Sequence, residues 1–154
     1  MLFRAAVLAC ASTNADEWQI DGASRVVAIS DIHGAYDAMG ETLQRSGVID
    51  EQLSWSGDDA HVVIVGDILD RGPRSRDAMD LLMRLEAEAP VAGGAVHVLI
   101  GNHESMNLIG DLRYVSKSEY AAFAADETPE ERQQSFEAYA ERQGAEASTD
   151  GMRT

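Results

Sequence analysis

Apolar positions along this chain gather into short blocks that each end abruptly in polar residues. Val26 to Ile29 is closed by Ser30-Asp31, His61 to Val65 by Gly66-Asp67, and Val96 to Ile100 by Gly101-Asn102. Runs of this length bounded by turn residues read as strands, and their unbroken apolar character predicts burial on both sheet faces. Between them the spacing is helical. Tyr36, Met39 and Leu43 share one face ahead of a stop at Gly47, while Ala78, Leu81, Leu82 and Leu85 form a stripe closed by Pro90. "SWSGDD" is a turn-rich loop before the second run. Strand, helix, strand, helix, strand is the order of an α/β unit with a parallel sheet. Beyond Ile100 no further strand is expected. "SMNLIGDLRYVSKSEYAAF" mixes loop with short helix, and residues 126–154 read as an acidic helix with a frayed tail.

Composition narrows the function classes. A chain of 154 residues, 45% hydrophobic and 25% charged, is an ordinary globular length for one domain. The net charge of -15 speaks against a nucleic-acid partner and against adhesion to anionic lipid. Cys10 is the single cysteine, so no intrachain disulfide forms. It lies in "MLFRAAVLACASTNADE", where Arg4, the apolar stretch Ala5 to Ala9 and the small residues that follow are signal-like. Residues 1–20 are therefore set apart as a signal-like or disordered extension. The expectation is an exported, periplasmic or lipid-anchored protein, with a cytoplasmic one as the alternative. No run approaches a transmembrane span.

The chemistry collects at the ends of the three runs: "SDIHG", "GDILDRG" and "GNHE". Parallel strands deliver their C-terminal ends to one sheet edge, where open α/β sheets bind ligands. That edge gathers Asp31, His33, Asp67, Asp70, Arg71, Asn102, His103 and Glu104. Carboxylate, imidazole and amide ligands suit divalent cations such as Mn, Fe or Zn, and carboxylates crowded together repel unless cations lie between them. Arg71 adds a planar charged fork of the kind that takes phosphate oxygens. Metals, an arginine and a histidine make a kit for phosphate-ester hydrolysis. His61 and His97, at the strand starts, are read as structural. Met79 and Met83 are read as core packing. Trp18 and Trp55 fall in loops without an assigned role.

Together these motifs resemble the phosphoprotein phosphatase (PPP) family of serine/threonine phosphatases within the calcineurin-like metallophosphoesterases. "NLIGDLRYVSKSEYAAF" after "GNHES" is similar, more narrowly, to the Shewanella-like phosphatases. The resemblance runs from about Val26 to about Phe123, and residues 24–125 are expected to be the N-terminal part of that domain. It implies the N-terminal half of a β-sandwich flanked by helices, with a two-metal centre. It implies Asp31, His33, Asp67 and Asn102 as metal ligands, with Asp67 shared between two ions. It makes His103 the general acid, Asp70 the group orienting it, Arg71 and Asn102 the phosphate contacts, and Glu104 a supporting group. The implied reaction is hydrolysis of a phosphate monoester, on a phosphorylated protein substrate, by metal-activated water.

Two departures stand out. Ser30 replaces a glycine often found before the first aspartate of the family. More consequentially, the family's second metal takes two further histidines from the C-terminal half, and no histidine follows His103. The expectation is a half enzyme that retains one metal rather than two and exposes the partner face of its sheet, a surface for association. Two alternatives remain open. One is a nucleotide or dinucleoside-polyphosphate hydrolase on the same scaffold; the other is a non-catalytic fragment that binds metal or a partner.

Overall fold

The computed structural model describes residues 22–124 and 127–143. The signal-like extension with Cys10 and Trp18 and the tail after Gln143 lie outside the described residues. Strand β1 (Val26–Ile29) leads through helix α1 (Tyr36–Arg45) to β2 (His61–Ile64), and then through α2 (Ser75–Glu88) to β3 (Ala95–Val98). Three further helices follow: α3 (Asn102–Leu108), α4 (Lys117–Phe123) and α5 (Pro129–Gln143). The sheet is three-stranded and parallel in the order β1-β2-β3, with Ile29 paired to Ile64 and Ile64 to Val98.

The helices form where the stripes predict. Met39 and Leu43 of α1 and Ala78, Leu81, Leu82 and Leu85 of α2 are buried in one cluster with Val62, Ile64 and Val96. Val27 and Ile29 pack against the same cluster. α1 stops at Arg45 because Gly47 turns into the left-handed region, φ 68°, where only glycine is at ease. α2 gives way to a 3-10 turn over Ala89–Ala92, since Pro90 cannot donate to the helix ladder. Trp55, unassigned from sequence, packs against this core, and its indole N–H donates to the Asp58 carbonyl.

Three expectations need correction. The strands are not buried on both faces: Val26, Val65 and Leu99 are exposed, so one face packs on α1 and α2 while the other is open among the described residues. Alternation is hidden because the exposed positions are also apolar. Met83 is a surface residue, and only Met79 of that pair packs on the core. The third strand begins at Ala95 and is over by Val98, so the "GNHE" stretch is not a simple strand-end loop. Asn102, His103 and Glu104 form the first turn of α3. His61 and His97 share the open face, with His97 Nε2 3.1 Å from His61 Nδ1. No helix among the described residues is long and apolar enough to cross a membrane.

Candidate active site

The loops after β1, β2 and β3 are tied together by backbone groups. The His33 N–H donates to the Asp67 carbonyl and the Gly34 N–H to the Ile68 carbonyl, both at 2.9 Å. Across the other side, Asp67 Oδ1 accepts the His103 N–H at 3.0 Å. Such approach needs missing side chains. A methyl group on Gly66 would collide with the Gly101 backbone, and one on Gly72 with the His33 carbonyl.

Glu104 is the clasp of this assembly. Its carboxylate accepts the N–H groups of Asp67 and Ile68 at 2.8 Å, of Gly101 at 2.9 Å and of Leu69 at 3.0 Å. Burial pushes this carboxyl up, but the donors from Leu69, Asp67, Gly101 and Ile68 outweigh it and hold the group below its ordinary value. The clasp restrains an unusual backbone. Asp31 (φ 54°), His33 (46°), Asp67 (54°), Asp70 (71°) and Arg71 (66°) are all left-handed. Each non-glycine residue held there costs on the order of 1–3 kcal/mol, which persists only where neighbours fix it, and such strain clusters at working sites.

The two imidazoles are oriented by their outer nitrogens. His33 Nδ1 donates to the Leu69 carbonyl at 2.9 Å, and His103 Nδ1 to Asp70 Oδ2 at 2.7 Å. Both Nε2 lone pairs therefore face inward. Arg71 spans them, Nη1 at 2.8 Å from His33 Nε2 and Nη2 at 3.0 Å from His103 Nε2. Ligand atoms of His33, Asp67 and His103 lie within 4.8 Å of one another. Two inward imidazole nitrogens and a carboxylate are a donor set that fits a borderline divalent cation.

The other sequence candidates are placed differently. The Asp31 side chain is 67% exposed at the rim, with Oδ1 3.8 Å from His33 Nε2. Asn102 is exposed at the first position of α3. Asp70 does not join the ligand cluster. It is 1% exposed behind His103, itself 1% exposed, and its Oδ1 accepts from Asn107 Nδ2 at 2.9 Å. The expected crowd of mutually repelling carboxylates is thus dispersed, because Asp70 and Glu104 are spent on N–H donors. Asn107 escaped the sequence reading although it lies one helical turn from His103. Tyr114, also missed, sets its ring 5.2 Å from that of His103, and its carbonyl accepts the Arg71 N–H at 3.0 Å.

Residues 24–146 match the family described as calcineurin-like phosphoesterase. The chain belongs to that family. Shewanella-like protein phosphatase 2 of Arabidopsis thaliana is 44% identical over 93 residues, covering 60% of this chain and 24% of that protein. A bis(5'-nucleosyl)-tetraphosphatase of Bacillus velezensis is 40% identical over 76 residues, 49% of this chain and 28% of that one. Among solved structures, the cold-active protein-tyrosine phosphatase of a psychrophilic Shewanella superposes with a TM-score of 0.64 at 40% identity. That match covers 72% of this chain and 34% of the other. The chain spans about a quarter of the length of these curated relatives.

Proposed function

We propose that this chain carries the metal- and phosphate-handling loops of a phosphomonoester hydrolase, with a phosphorylated protein as substrate. The observation that carries the reading is that the His103 imidazole lies within 4.8 Å of the His33 and Asp67 ligand atoms, with the Arg71 fork contacting both imidazoles. Asp31, His33 and Asp67 would hold one divalent ion, Mn, Fe or Zn. Asp67 and Asn102 would offer the ligands this chain has for a second. A bound cation supplies charge neutralisation at phosphorus and water made acidic enough to attack.

The remaining work falls to side chains. Arg71, whose Nη1 and Nη2 face the two imidazoles here, would turn that fork to phosphate oxygens once a cation takes His33 Nε2, and Asn102 offers an exposed amide. His103, when protonated at Nε2 as well as Nδ1, would give the Nε2 proton to the departing alcohol oxygen, while Asp70 stabilises that imidazolium through Nδ1–H. Tyrosine is the phosphoresidue named for the Shewanella neighbour, so serine/threonine specificity rests on the sequence resemblance alone. The similarity to a dinucleoside tetraphosphatase favours a second reading, hydrolysis of a nucleotide polyphosphate on the same loops.

Turnover of an aryl phosphate, a phosphopeptide and a dinucleoside tetraphosphate, with and without Mn, tests both readings. Phosphopeptide hydrolysis that requires Mn and is abolished by His103→Ala is the expected result. Preference for the dinucleotide selects the second reading. Mn binding by calorimetry, lost in His33→Ala but without turnover on any substrate, overturns both and leaves a metal-binding module.

A further inference from the structure

Asp70 and Arg71 are consecutive residues with left-handed backbones, φ 71° and 66°, although neither is glycine. Within their own loop the Gly72 N–H donates to the Asp70 carbonyl at 2.7 Å. Further contacts to their own N–H groups come from a segment more than forty residues downstream. The Tyr114 carbonyl accepts the Arg71 N–H at 3.0 Å, and Glu119 Oε1 accepts the Asp70 N–H at 2.9 Å.

Glu119 is a charged side chain only 4% exposed, and its setting is built to keep it so. Oε1 also accepts from the Ser75 hydroxyl, at the start of α2. Oε2 accepts the Ser116 N–H at 2.9 Å, closing a capping box in which Ser116 Oγ takes the Glu119 N–H at 3.2 Å. One carboxylate thus starts α4, reaches α2 and grips the catalytic loop. α4 is fastened to α2 elsewhere too: Arg76 donates to the Ala122 carbonyl at 2.8 Å and lies over the Phe123 ring. A buried carboxylate spent on a loop N–H is costly unless its donors are complete, and here both oxygens are satisfied.

From this we infer that Glu119 is a positioning residue for the proton donor, acting through the backbone of Asp70 on the orientation of His103. The chain of contact is Glu119 to the Asp70 N–H, then the Asp70 carboxylate to His103 Nδ1 at 2.7 Å. Glu119 reaches neither the ligand cluster nor the substrate side. The inference rests on the phosphatase reading only for its kinetic consequence, since the positioning itself is a property of the apoprotein.

Two measurements on the full chain test it, with Glu119→Ala, Glu119→Gln and Ser75→Ala. The first is the proton NMR signal of the His103 Nδ1–H bonded to Asp70, which needs no activity. It is expected to be strong and downfield in wild type, lost or shifted in Glu119→Ala, and largely retained in Glu119→Gln, which keeps an acceptor for Asp70 and Ser75. Ser75→Ala is expected to fall between them. The second is kcat with Mn on an aryl phosphate and on a phosphoserine peptide. Outer partners of this kind typically contribute roughly ten- to a hundredfold. Proton donation matters most for the poorer leaving group, so Glu119→Ala should lose more on the peptide than on the aryl ester, with KM little changed. A merely structural role would reduce both substrates by one factor. An unshifted His103 signal in Glu119→Ala, or in Ser75→Ala should Glu119→Ala not fold, overturns the inference. Absence of hydrolysis in wild type with a His103 signal that still responds to Glu119 overturns the phosphatase reading and leaves the positioning role standing.

Discussion

The Asp70 carboxylate and the His103 imidazole meet at 2.7 Å with both side chains sealed from solvent. This contact fixes which imidazole nitrogen carries a proton, because a carboxylate can only accept. His103 Nε2 is thereby left to face Arg71 and the ligand cluster. Asn107 completes the pair by donating to both the Asp70 carboxylate and the His103 carbonyl.

Asp70→Asn tests the orientation directly. An asparagine can present an oxygen to His103 only by aiming its amide N–H groups at Asn107 Nδ2, also a donor. The expected outcome is a drop in kcat of about a hundredfold or more, in line with loss of positioned proton transfer, with an unaltered circular dichroism spectrum. Comparable kcat in the variant would remove Asp70 and His103 from the proton path.

Glu104 makes stability depend on acidity. Its carboxyl is depressed in the folded chain, so the folded state binds that proton less readily than the unfolded one. The linked stabilisation is therefore present above the ordinary carboxylate value and fades as pH falls through the lower, folded value. Glu104→Gln presents an amide donor to N–H groups that now lack an acceptor. It should lose roughly 2 kcal/mol at neutral pH. Chemical denaturation at neutral and strongly acidic pH reads the difference, which should narrow on acidification; a gap constant across that range contradicts the clasp.

Apolar side chains on the open sheet face should promote self-association at high concentration. Val26, Val65 and Leu99 expose apolar surface there, and His61 and His97 lie on the same side. Val65→Lys keeps the Val65 backbone bond to the Ile29 carbonyl while placing charge in the patch. Folding stability should change by no more than about 0.5 kcal/mol, and concentration-dependent light scattering should fall. Scattering unchanged by the lysine would move any association to another surface.

The parts of the fold that could be read from the chain are those written in local pattern. The stripes Met39-Leu43 and Ala78-Leu81-Leu82-Leu85 face inward as their spacing requires, and each apolar run became a parallel strand. Glu119 shows how a local signal can be visible and still incomplete. Ser116-Lys-Ser-Glu119 has the spacing of a helix-start capping box, but nothing in those four letters tells that the same carboxylate also takes the Asp70 N–H.

By itself the sequence determined the element order, the shared edge at which "SDIHG", "GDILDRG" and "GNHE" meet, and the chemical types gathered there. These follow from short-range periodicity and from parallel strands having one common C-terminal edge. Only the tertiary structure decided the division of labour among the acids. Asp67 faces the imidazoles, Asp31 stands at the rim, Asp70 is buried behind His103, and Glu104 turns to four backbone donors. The reason is that a carboxylate's role depends on which donors surround it, and here those donors come from residues distant in the chain.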